Sequence, residues 1–99
     1  MNTDIMKPYF DEAIEKFYKY YGYAAITDDQ IHVVRIAQSI MMHRDGVLNG
    51  GGFVSAFVRN DLIQSINRAD STIINHFQFL AGVLQYGHVK HKKNYLENE

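Results

Sequence analysis

Thr27-Asp28-Asp29-Gln30-Ile31-His32-Val33-Val34-Arg35-Ile36-Ala37-Gln38-Ser39-Ile40-Met41-Met42-His43-Arg44-Asp45-Gly46 is the stretch that decides the fold class of this chain. Its first four residues have the form of a capping box. The Thr27 hydroxyl can accept a hydrogen bond from the Gln30 amide, and the Gln30 side chain can reach back to the Thr27 amide. Asp28 and Asp29 place negative charge where the helix dipole is positive. Behind that start, Val33, Val34, Ala37, Ile40 and Met41 fall on one helical face, with His32, Arg35, Gln38 and Ser39 opposite. Asp45-Gly46 supplies a stop, so the segment predicts a helix over about 28–44.

The same periodicity extends outward in both directions. Phe10, Ile14, Phe17 and Tyr21 recur at spacings of four, three and four and predict a helix over about 8–21, with Pro8 in its first turn and Gly22 as its stop. Downstream, Val54, Val58, Leu62 and Ile66 recur every four residues and predict a helix over about 53–68. Asp70, Ser71 or Thr72 can then break and recap the chain. A last helix, over about 73–86, carries two apolar stripes side by side, Ile73/Phe77/Leu80/Leu84 and His76/Phe79/Val83, and Gly87 ends it. So wide an apolar arc suits a central helix or one shared with a second subunit. The reading is an all-α, compact four-helix domain with short loops over residues 1–87, followed by a polar His/Lys-containing tail at 88–99 whose end frays.

Composition narrows the function classes. With 99 residues the chain is one domain at most. It buries only about 60–65% of the surface its unfolded form exposes, so a homo-oligomer is expected as a source of extra burial. The lack of Cys removes disulfide frameworks, thiolate zinc sites and cysteine nucleophiles together. Ten Lys and Arg against eleven Asp and Glu argue against a general nucleic-acid coat. No run reaches the roughly 20 continuous apolar residues of a membrane span, and the opening Met1-Asn2-Thr3-Asp4-Ile5-Met6-Lys7-Pro8 lacks the layout of a signal peptide. The expectation is a cytoplasmic protein with no membrane partner.

Chemistry-bearing patterns are few. The loop Asn49-Gly50-Gly51-Gly52 runs into a helix starting near Phe53, and glycine amides at a helix start favour an anion. It is neither a Walker loop nor a dinucleotide fingerprint, and a tight interhelical turn is the plainer explanation. On a continuous third helix Asp61 falls among apolar residues, with Arg68 on nearly the same line and Asn60, Gln64 and Asn67 bordering it. A carboxylate so placed must meet Arg68, another Arg, a helix N-terminus or a ligand. Tyr18, Tyr20, Tyr21 and Tyr23, interleaved with Lys16 and Lys19, could stack on bases beside phosphate-neutralising lysines, or could simply be core and interface. The five histidines form no metal-ligand spacing, and no serine sits in a nucleophile elbow. No metal, cofactor or enzymatic activity is expected.

The run Met42-His43-Arg44-Asp45-Gly46-Val47-Leu48-Asn49-Gly50-Gly51-Gly52-Phe53-Val54-Ser55-Ala56-Phe57-Val58-Arg59-Asn60-Asp61-Leu62, followed by Arg68-Ala69-Asp70, resembles a group of small uncharacterised phage and prophage proteins. In that group Gly-Gly-Phe, Asn-Asp-Leu and Arg-Ala-Asp blocks recur in this order between helices. The likeness lies within residues 42–70. The group's usual ending, a turn with Pro and Trp, is replaced here by the His/Lys tail. The resemblance implies a viral or mobile-element origin, hence the cytoplasm of a host cell, and groups Gly51, Gly52, Phe53, Asn60, Asp61, Arg68 and Asp70.

Residues and resemblance together give a leading expectation. The protein is a phage-type counter-defence or regulatory factor that sequesters a small anionic ligand, such as a nucleotide second messenger. Its expected site is Gly50, Gly51, Gly52, Phe53, Asn60, Asp61, Asn67 and Arg68. The alternative is a protein–protein inhibitor or scaffold that blocks a host complex, with exposed Tyr, Arg59 and the Lys-rich tail carrying the binding. A helix-turn-helix regulator fits less well, because the loop between the second and third helices is too long and the third helix is poor in basic residues.

Overall fold

The computed structural model describes residues 3–22 and 26–89. Tyr23 and residues 90–99 of the expected tail lie outside these. Among the described residues the regular elements are all helices: α1 (Thr3–Tyr21), α2 (Asp28–Arg44), α3 (Gly52–Val58), α4 (Leu62–Arg68), α5 (Ser71–Ile74) and α6 (Phe77–Tyr86). The third and fourth expected helices are thus each divided in two.

α2 forms as its sequence requires. The Gln30 amide donates to Thr27 Oγ1 at 3.3 Å, and the Thr27 amide donates to Gln30 Oε1 at 2.9 Å. Val33, Val34, Ala37, Ile40 and Met41 are all buried, and so are Met42 and Gln38. Gln38, expected on the wet face, is covered by α1, and its Nε2 donates to the Met6 carbonyl at 3.1 Å. That bond replaces the water a buried amide gives up. α1, α3, α5 and α6 all pack on α2, which takes the central place expected for the last helix.

α1 begins at Thr3, so Pro8 lies inside the helix rather than in its first turn. Its buried line is Tyr9, Ala13 and Phe17, with Phe10 and Ile14 partly buried beside it. The expected stripe is therefore displaced onto a neighbouring line of the helix. Tyr9 lies off the stripe read from the sequence, and its hydroxyl needs a partner in the core. Asp45 supplies one: the Tyr9 hydroxyl donates to Asp45 Oδ2 at 2.9 Å. Gly22 and Gly46 end α1 and α2 in the left-handed region, with φ of +89° and +76°.

A polar lock joins three helices at the end of α2. Arg44 Nε donates to Asp45 Oδ1 at 2.9 Å, and its Nη2 donates to Oδ2 at 3.3 Å. Arg44 Nη1 reaches across to the Leu84 carbonyl of α6 at 2.9 Å. α6 lies against α1 through rings as well, Phe17 meeting Phe79 edge-on at 5.5 Å between centroids. Phe53, Phe57 and Phe77 form a second aromatic cluster between α3 and α6.

Burial, reinforced by the bond to Asp45, raises the Tyr9 phenol well above its ordinary value of 10.0. A raised phenol stabilises the fold fully below the unfolded value, and this contribution declines once the unfolded phenol ionises. Stability should therefore fall as pH rises past about 10. Tyr9→Phe, which keeps the ring and removes the donor, should cost about 1 kcal/mol at neutral pH and flatten the alkaline decline in urea titrations. An unchanged alkaline slope would contradict the lock.

Candidate functional site

The corner between α3 and α4 is where chain chemistry departs most from the four-residue periodicity. Asn60 has φ of +66° and is the one non-glycine residue with positive φ among those described. Its amide donates to the Phe57 carbonyl at 3.1 Å, and the Asp61 amide donates to the Ala56 carbonyl at 2.9 Å. This pair of bonds is a Schellman motif, with Asn60 as the left-handed residue that glycine or asparagine fills. Asp61 then starts the next helix: its Oδ1 accepts the Gln64 amide at 3.1 Å. Asp61 also faces Arg59 at 3.4 Å. It is thus an N-cap paired with a neighbouring arginine, not an acid on an apolar arc, and Arg68 is not its partner. The signal was present in the sequence, since Asn is favoured after a helix and Asp before one.

The turn changes which face of α4 meets the core. Leu62, Ile63 and Ile66 are 61%, 67% and 44% exposed, whereas Ser65 is 2% exposed. The Ser65 hydroxyl donates to the Asp61 carbonyl at 2.7 Å, which satisfies it inside. Beside this face, a groove of about 500 Å³ runs between α3–α4 and α6, lined by the apolar Phe57, Leu62, Phe77, Ala81 and Leu84 and by the polar Asn60, Ser65, Gln78 and Gln85.

The expected ligand residues are distributed over several places. Gly50 is partly buried, and its amide donates to His43 Nδ1 at 2.9 Å, so that amide is already used. Gly51 is the N-cap of α3 and offers the first-turn amides no side chain. Gly52 lies under Arg68, where a Cβ would stand 2.6 Å from Nη1. Phe53 is buried and stacks on Phe57 at 5.3 Å. Arg68 is exposed, with Nε donating to Gln64 Oε1 at 3.4 Å, and Asn67 is exposed beside it. Asn60 and Asp61 stand at the opposite end of α4, about 10 Å of helix away. The structure therefore joins Gly52 to Arg68, separates both from Asn60 and Asp61, and assigns Phe53 to the core.

Asp70 caps α5 by accepting the Ile73 amide at 2.8 Å and faces His32 of α2 at 3.3 Å. Among the described residues no group of three His, Cys, Asp or Glu side chains could hold a metal ion. No helix there is long and apolar enough to cross a membrane. Compared with known protein families, curated proteins and solved structures, the chain matches none.

Sequence reasoning put Leu62 and Ile66 on a core stripe of a continuous helix, whereas the structure exposes both, together with Ile63, which lies off that stripe. Substitution separates the two geometries. Asn60→Gly should leave stability unchanged or raise it, since glycine suits a left-handed site, whereas glycine inside a helix costs about 1 kcal/mol. Asp61→Ala should lose about 1 kcal/mol as the α4 cap disappears. Equilibrium urea unfolding reads both, and a destabilised Asn60→Gly would restore the continuous helix.

Proposed function

We propose that this protein acts by stoichiometric binding, with α4 as the docking surface for an amphipathic segment of a partner protein. The observation that carries the reading is the inversion of α4, which holds a serine inside and Leu62, Ile63 and Ile66 in water. Covering such residues returns about 25 cal/mol for each Å² of apolar surface removed from water. The adjoining groove, with aromatic and aliphatic walls, suits one large apolar anchor from the same partner.

Charge indicates the chemistry of that partner. Between Gly52 and Arg68 the charged residues are Arg59, Asp61 and Arg68. Asp61 and Arg59 pair with each other, and Asp61 also accepts the Gln64 amide, which leaves Arg68 as the net positive charge of this segment. An amphipathic helix with acidic flanks complements it. This is the class of action expected of a phage-type inhibitor that blocks a host complex, and a second copy of the chain is the competing occupant.

One observation favours a second reading, capture of a small anion such as a nucleotide messenger. The Arg68 guanidinium lies over Gly52, next to the uncapped first turn of α3. Gly51→Val has open space around it and Arg68→Ala removes only an exposed side chain, so both variants should fold. Unchanged nucleotide affinity in both would end that reading.

Ile63→Glu tests the docking surface, because Ile63 is the most exposed of the three apolar residues and contributes least to the fold. Quantitative cross-linked capture from host lysate should recover one protein in fixed ratio with the wild type. The variant should lose at least about 90% of it, a tenfold change, with an unchanged unfolding midpoint. Equal capture by both would overturn the proposal, and a wild-type homodimer broken by the same substitution would identify a second copy instead.

A further inference from the structure

A second recess lies on the opposite side of α6, where its outer face meets the end of α1. It has a volume of about 230 Å³ and is lined by Lys16, Lys19, Tyr20, Phe79, Gly82 and Tyr86. Phe79 is a buried part of its wall, while Tyr20 and Tyr86 are the exposed aromatic residues of the lining, at 50% and 63%. Gly82 opens it: a Cβ built there meets no atom within 4 Å. One side of Tyr20 is braced by Phe79 at 5.7 Å and by Tyr21 at 4.7 Å between ring centroids, so that ring is held in place before any ligand arrives.

The charge at the recess is of one sign. Lys16 and Lys19 are the charged residues that line it. Their carboxylate neighbours lie outside the lining: Lys16 Nζ is 3.9 Å from Glu12, a long contact, and Lys19 Nζ is 3.2 Å from Glu15. Glu12 Oε2 also accepts the His88 amide at 3.2 Å, so Lys16 shares that oxygen with a second donor. The Lys19–Glu15 pair is exposed and readily exchanged for another anion, whereas the Lys16–Glu12 pair is more enclosed and long, so Lys19 is the more available of the two ammonium groups.

We propose that this recess binds a nucleoside monophosphate unit, with the base against Tyr20 and Tyr86 and the phosphate met by Lys16 and Lys19. Aromatic walls over a glycine floor select a flat ring, because a base can stack on either phenol without a dedicated hydrogen-bond set. The volume is below the roughly 300 Å³ of a full drug-sized site, so it takes the ring system and leaves the phosphate at the lysines in water. A free nucleotide and the 5′ end of a single strand share this chemistry. The site is independent of α4 and stands whether or not that surface docks a protein.

The test is a titration of amide NMR signals with AMP, with adenosine, and with a 5′-phosphorylated thymidine oligonucleotide of about ten residues. AMP should shift Tyr20, Gly82 and Tyr86, and adenosine should bind at least about tenfold more weakly. Tyr86→Ala and the double variant Lys16→Ala/Lys19→Ala should each weaken AMP by about tenfold or more, and Gly82→Leu should fill the floor and abolish binding. Ile63→Glu should leave all of it unchanged. Preference for the oligonucleotide assigns the strand end, and equal affinity assigns the free nucleotide. Shifts that are absent, that fall elsewhere, or that persist in a folded Gly82→Leu overturn the proposal.

Discussion

Asp45 receives the Tyr9 hydroxyl and two donors of Arg44, while Arg44 extends to the Leu84 carbonyl, and on this knot the arrangement of the remaining helices depends. Leu84 lies in the last turn of α6, whose carbonyls have no intrahelical donor. Its usual donor would be the His88 amide, but that amide turns to Glu12 of α1. Arg44 therefore completes α6 from α2, and Glu12 ties the chain beyond α6 to α1. Gly87 makes the approach possible, since a Cβ there would stand 2.6 Å from the Val83 carbonyl and 2.7 Å from Met41 Sδ. With α1, α2 and α6 fixed in this way, α3 is held by its phenylalanines and α4 by little beyond α3.

The consequence for function lies in what α4 leaves undone. A helix bound on one side can turn either its apolar or its polar face outward, and the Schellman corner at Asn60 sets that choice. Ser65 goes inside with its hydroxyl satisfied, so the inversion leaves no buried polar group unpaired there. The cost is borne in water, by Leu62, Ile63 and Ile66. The docking surface we propose rests on this exposed apolar face, flanked in the chain by Arg59 and Arg68. The recess at Gly82 belongs to the other side of α6 and is lined by rings and ammonium groups rather than by aliphatic surface.

Much of this was legible in the sequence where a local signal outweighs tertiary context. The Thr27 capping box, the glycine stops at 22, 46 and 87, and the buried face of α2 all follow from adjacent residues. Gln38 was misplaced, and Tyr9 was not singled out, because each is buried through a partner distant in the chain, the Met6 carbonyl in one case and Asp45 in the other. Asn60-Asp61 carried its own signal, but the four-residue spacing of Val54, Val58, Leu62 and Ile66 overrode it. Of the expected site, the proximity of Gly52 and Arg68 survived the helix break because both lie on the side where α4 returns over α3. Asn60 and Asp61 did not join them, because capping took their side chains and backbone for the corner itself.

The central claim is that α4 faces outward in the isolated protein, and solvent relaxation of methyl groups measures this most directly. With a soluble paramagnetic probe, the Leu62 and Ile63 methyls should relax as strongly as any surface methyl, while those of Val33 and Ile40 stay protected. Protection of Leu62 and Ile63 at the level of Ile40, in a monomeric sample, would mean that α4 turns its apolar face inward, and the docking surface would not exist.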